Sequence, residues 1–126
     1  MGRPAARRPA PPPDPGDEVV LTVLGCDGSW PGPGGAGSGY LLRVGGTHLL
    51  LDAGPGTFAV LQTLVDPSEV DAVVISHHHA DHWTDLYAVD TQARFGGRRS
   101  PLPVYARPRW PDGPTPSGPR YSSGTT

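Results

Sequence analysis

The segment Ser76-His77-His78-His79-Ala80-Asp81-His82 places four of the chain's five histidines and a carboxylate within a few residues of one another. The order is His-x-His-x-Asp-His, and these donor types suit zinc or another borderline first-row cation, with manganese or iron as alternatives. On an extended backbone, residues two apart point the same way. His77 and His79 can therefore reach one ion while His78 faces away. A turn through Ala80 would swing Asp81 and His82 toward a second position a few ångströms off. The spacing suggests a two-metal site, with His77 and His79 on the first ion and Asp81 and His82 on the second. Two such cations would acidify a bridging water to hydroxide near neutral pH and polarise a phosphoryl or carbonyl oxygen. Asp81 could also orient that water or accept its proton, which makes it the candidate catalytic residue. The competing reading is a surface tract that binds metals loosely. Against it, the cluster stands directly after the apolar run Ala72-Val73-Val74-Ile75, at the end of a strand.

Five segments read as strands: Val19 to Leu24, Tyr40 to Val44, His48 to Leu51, Ala72 to Ile75 and Leu102 to Ala106. Consecutive apolar positions such as Val73-Val74-Ile75 mark strands covered on both faces. Between the third and fourth, Pro55 can open a helix, with Phe58, Leu61, Leu64 and Val65 as its apolar stripe and Asp66-Pro67 as its end. A second helix is expected from about Asp81 to Phe95, with Leu86, Val89 and Ala93 at helical spacing. Alternation of strands and helices gives an α/β fold, a mixed sheet with helices on one face.

These motifs carry a resemblance. The His-x-His-x-Asp-His segment, with Gly39-Tyr40-Leu41-Leu42-Arg43-Val44-Gly45-Gly46-Thr47-His48-Leu49-Leu50-Leu51-Asp52-Ala53-Gly54-Pro55-Gly56-Thr57 upstream, resembles the amino-terminal half of the metallo-β-lactamase superfamily of metal-dependent hydrolases. The likeness covers about residues 18 to 106. From Leu24 to Thr57 it is most similar to the ribonuclease Z and phosphodiesterase-like branch. It implies half of a four-layer αββα sandwich, in which a second sheet packs on the face opposite the helices. It also implies zinc, two ions in a complete domain, and hydrolysis of a phosphodiester or related ester-like bond by metal-bound hydroxide. Asp52 lies beside the site in the family and becomes a candidate to fix a ligand imidazole. A turn-forming aspartate before Gly54 is the equal alternative.

The departures from the pattern are specific. Ribonuclease Z usually has an acidic residue where Pro55 stands and Gln at Phe58, which argues against a tRNA substrate. The family often carries Gly at the position of Asp85. Its later histidine, bridging aspartate and final histidine have no counterpart here, because no histidine follows His82. The alternative function is therefore a truncated, catalytically inactive fragment with a partial metal site.

Composition bears on that alternative. The chain has 126 residues, with 18 glycines and 17 prolines, and the excess sits at its ends. Residues 1–17 read as a disordered Pro/Arg-rich arm, residues 18–106 as a partial domain, and residues 107–126 as a disordered Pro/Gly/Ser-rich tail. The abrupt loss of pattern after Ala106 suggests a truncation or a shifted reading frame, with a naturally short protein as the other option. A formal net charge of −2 gives no electrostatic footprint for nucleic acid, so the expected partner is a small-molecule or phosphodiester substrate, with nucleic acid left open but unsupported by charge. Arg94, Arg98 and Arg99 read as a solvated helix end. Gly32-Pro33-Gly34-Gly35-Ala36-Gly37 matches a dinucleotide fingerprint only formally, because a strand and not a helix follows it. The loop from Gly25 to Gly39 is instead a flexible hairpin connection at the rim of the site. His48 reads as a surface or packing residue and His78 as structural. Arg7-Arg8 lacks the apolar stretch of an export signal, Cys26 is the lone cysteine, and no apolar run has membrane length. Cytoplasmic localisation is the expectation. An uncovered sheet face would allow self-association.

Overall fold

The computed structural model describes residues 18–98 and 100–107. The expected disordered arm, the tail from residue 108 onward and Arg99 lie outside the described residues.

Five strands form one mixed sheet in chain order: β1 (Val19–Gly25), β2 (Gly39–Val44), β3 (Thr47–Leu51), β4 (Ala72–Val74) and β5 (Val104–Tyr105). The first three make an antiparallel meander. β2 and β3 are joined through Gly45-Gly46, with Gly45 at φ 57°, a left-handed turn that suits glycine and matches the strand twist. β4 and β5 then run parallel to β3 and to each other. Parallel neighbours need crossovers, and these supply the helices α1 (Thr57–Gln62) and α2 (Leu86–Phe95). The α/β class and mixed sheet expected from the sequence are therefore present.

Both helices pack on one face. Leu24, Leu41, Leu50, Val73 and Val104 point from the sheet into a core shared with Phe58 and Leu61 of α1 and Leu86 and Val89 of α2. Leu41, Leu50 and Val73 are fully buried, each contributing about 1.5–3 kcal/mol by removal from water. The strand pleat sends the alternate residues the other way, and there nothing among the described residues covers β1. Leu21 and Val23 are each 55 % exposed and Tyr105 is 45 % exposed.

Three elements depart from the sequence reading by more than a single residue at one end or both. α1 stops at Gln62 and the chain continues as a turn to Val65, where Leu64 N–H bonds the Leu61 carbonyl. The fifth strand shortens to two residues, flanked by Pro103. The second helix starts not at Asp81 but at Leu86, after a 3-10 turn over Ala80–His82. The reason is a bond from a distant segment. An α-helix through Asp81 would need the His82 carbonyl for Leu86 N–H, but Ala53 N–H holds that carbonyl at 2.7 Å, and Leu86 N–H bonds Trp83 instead. Asp85 joins the two helices. Its carboxylate accepts Phe58 N–H at 2.9 Å in the first turn of α1, and its own N–H donates to the Ala53 carbonyl. Glycine has no side chain for this.

Replacing Leu50 by Ala is expected to cost about 2–5 kcal/mol, measured by urea unfolding. Leu21→Lys on the open face is expected to stay within about 0.5 kcal/mol of the parent and to lower concentration-dependent association in analytical ultracentrifugation. Association undiminished in Leu21→Lys would move the contact elsewhere.

Candidate metal centre

The site residues lie at the carboxyl ends of β3 and β4. Parallel pairing of Leu51 with Val74 sets the residues that follow these strands side by side, the position where open α/β sheets gather ligands. Asp52 leaves β3 with φ 61°, one of two non-glycine residues in the left-handed region among the described residues. Aspartate tolerates that conformation better than most side chains. The turn aims its carboxylate at the start of the histidine segment. Asp52 Oδ1 accepts Ser76 N–H at 2.7 Å, and Oδ2 accepts both Ser76 Oγ–H and His82 Nδ1, each at 2.8 Å. The carboxylate is buried, so three donors replace the water it has lost.

Hydrogen counting then assigns the imidazoles. A carboxylate only accepts, so Nδ1 of His82 carries the proton. Ser76 has one hydroxyl hydrogen and donates it to Asp52. The 2.9 Å contact between Ser76 Oγ and His77 Nδ1 must then be donated by His77. In its neutral form each ring then keeps its lone pair on Nε2, the form a metal ligand needs. Asp52 thus orders His82 directly and His77 through Ser76. Sequence reasoning assigned no role to Ser76; a hydroxyl one residue before the first motif histidine was the available signal.

The remaining candidates surround these rings. His77 and His82 have ring centroids 3.9 Å apart, and His77 and His79 4.8 Å apart. Asp81 Oδ2 stands 3.5 Å from His82 Nε2 and accepts Ser29 N–H at 3.1 Å. Two ligands at about 2.0–2.1 Å from one tetrahedral ion lie roughly 3.4 Å apart. The Asp81–His82 pair therefore fits a cation between its two atoms. Among the described residues, no group of three or more His, Cys, Asp or Glu side chains converges on one ion.

His78 is exposed; its carbonyl accepts Trp83 Nε1–H at 2.7 Å, and its ring lies 5.2 Å from that of His79. His48 makes its bonds elsewhere, to the segment that leads into β4. Its Nδ1 contacts the Glu69 carbonyl at 2.9 Å and its N–H donates to Asp71. Gly54 allows the segments to converge, since a Cβ there would collide with the Asp81 carbonyl and the Ser38 amide nitrogen. Of the basic cluster, Arg94 pairs with both Asp90 oxygens at 3.0 Å and Arg98 donates to the Ser100 carbonyl. Both line a cavity of about 450 Å³ between α2 and β5 that contains none of the histidines.

The sequence profile of the metallo-beta-lactamase superfamily matches residues 32–121. The chain belongs to that superfamily. Among its members, the probable metallo-hydrolase YhfI of Bacillus subtilis is 37 % identical over 91 residues, 69 % of this chain and 37 % of YhfI. A crystal structure of YhfI superposes with a TM-score of 0.67 at 35 % identity, covering 71 % of this chain and 36 % of that one. Ribonuclease Z of Methanopyrus kandleri is 38 % identical over 90 residues, covering 70 % of this chain and 32 % of the enzyme. Human tRNase Z, short form, superposes with a TM-score of 0.61 at 25 % identity, over 71 % of this chain and 34 % of its own. The chain spans about a third of the length of the curated relatives named here. Among the described residues, no helix of this superfamily member is long and apolar enough to cross a membrane.

The hydrogen-bond relay predicts its own spectrum. In the metal-free chain above neutral pH, long-range proton–nitrogen NMR is expected to show His77 and His82 as Nδ1–H tautomers. Ser76→Ala should release His77 to a tautomer mixture and leave His82 unchanged. A His77 ring indifferent to Ser76→Ala would break the relay.

Proposed function

We propose that this chain carries the amino-terminal part of a metal-dependent hydrolase that cleaves a phosphodiester or related ester-like bond. The observation that carries the proposal is the ordering of His77 and His82 by Asp52, directly for His82 and through Ser76 for His77, which turns His82 Nε2 toward the Asp81 carboxylate. In this reading His77 and His79 hold one divalent cation and Asp81 and His82 a second, with zinc as the ion and manganese or iron as alternatives. Bound there, such cations acidify water and withdraw charge from a phosphoryl oxygen. Asp81 orients the attacking water and accepts its proton at the carboxylate. Asp52 fixes the His82 ring against rotation, and Ser76 does the same for His77.

The names ribonuclease Z and tRNase Z support a phosphodiester. Pro55 and Phe58, where ribonuclease Z usually has an acid and Gln, and a net charge of −2 favour a small substrate over RNA. The exposed free thiol of Cys26 suits the reducing cytoplasm. A second reading is a catalytically inactive fragment with a partial metal site. The limited ligand set and the one-third coverage favour it for the chain acting alone.

Purified with added zinc, the chain is expected to bind the ion more weakly than a closed three- or four-ligand site. His77→Ala together with His79→Ala should remove most of the metal found by elemental analysis. Equal metal content in the double variant would sink the assignment. Hydrolysis of a generic phosphodiester by the chain alone, compared with a chain extended by the carboxy-terminal region of YhfI, separates the two readings. Turnover only after extension is expected.

A further inference from the structure

We infer that Asp27, in the glycine-rich connection between β1 and β2, is a positioning residue for Asp81: it shapes the turn that delivers the Ser29 amide to the Asp81 carboxylate. The inference rests on the metal assignment above for its functional meaning, though not for its geometry.

The connection is not a free span. Asp27 N–H bonds the Ala36 carbonyl at 3.0 Å and Asp27 bridges to Gly37, so the two ends of the loop are paired before the strands begin. Gly37 N–H is tied to the Pro55 carbonyl at 2.8 Å and Gly54 N–H to the Ser38 carbonyl at 2.8 Å, which fastens the base of the loop to the Asp52–Gly54 turn. Within this frame the Asp27 side chain folds back and Oδ2 accepts Gly32 N–H at 2.8 Å. Trp30 N–H bonds the Gly28 carbonyl at 2.7 Å, and Ser29 between them takes φ 62°. A serine has no intrinsic reason to adopt that conformation, so the surrounding bonds impose it.

The enforced turn has one product outside the loop. Ser29 N–H reaches across 52 residues of sequence to Asp81 Oδ2 at 3.1 Å. That is the oxygen facing His82 Nε2. One backbone donor on this atom fixes the carboxylate rotamer and directs its remaining lone-pair capacity toward the cation position. Gly35 belongs to the device as well, because a Cβ there would collide with the Asp27 carboxylate. Asp27 touches neither metal nor substrate and acts through Ser29.

The test uses the full 126-residue chain and reads two quantities: protection of the Ser29 amide by NMR hydrogen exchange without metal, and zinc affinity by calorimetry. Asp27→Ala is expected to expose the Ser29 amide and to weaken zinc binding roughly tenfold. Asp27→Asn, which keeps an oxygen for Gly32 N–H, should restore both. Gly35→Ala, which leaves every charge in place, should reproduce Asp27→Ala, and it decides the matter should Asp27→Ala fail to fold. A Ser29 amide still protected in Asp27→Ala or Gly35→Ala would overturn the inference. So would zinc affinity equal to the parent's in those variants, or an Asp27→Asn variant as weak as Asp27→Ala. A parent chain that binds no zinc would refute the proposed metal assignment, and the amide arm would still decide the role of Asp27.

Discussion

The candidate centre depends on one buried carboxylate. Asp52 accepts three hydrogen bonds from two segments that are 24 and 30 residues away in sequence, and each donor belongs to the histidine region. With a single donor this acid would be a costly passenger in the interior. With three it becomes the point to which the ends of β3, β4 and the 3-10 turn are fastened. The left-handed backbone at Asp52 is part of the same arrangement, since an extended residue there would continue β3 and carry the carboxylate away from Ser76. The position is constrained twice: by the conformation only a few residue types accept, and by the acceptor chemistry.

Much of this was legible in the sequence because the signals are local. Short, mostly apolar segments marked every strand, and the histidine spacing marked the cluster. Asp52 was singled out, although its dual nature was not separable: the structure shows one residue serving both as turn former and as imidazole partner. The illegible parts share a cause. The start of α2 was misplaced because residues 81–85 have acceptable helical pattern, while the bond that forbids an α-helix there comes from Ala53, far upstream. Ser76 and Ser29 carry no motif of their own, and their roles exist only once separate segments meet. The glycine-rich loop looked flexible from composition, yet glycines also allow the close backbone approaches that tie it down.

Helix packing on one face and exposed leucine, valine and tyrosine on the other give the sheet two unlike sides. The covered side explains how the short strands are held. The open side belongs to the same sheet whose β3 and β4 lead into the site.

The loop, the Asp52 turn, Ser76 and the Asp81–His82 turn all lie between residues 27 and 82, and their mutual bonds close only modest lengths of chain. Closure of such loops costs little extra entropy as length grows. A single uninterrupted stretch of chain ahead of α2 therefore carries every bond that orients the two imidazoles.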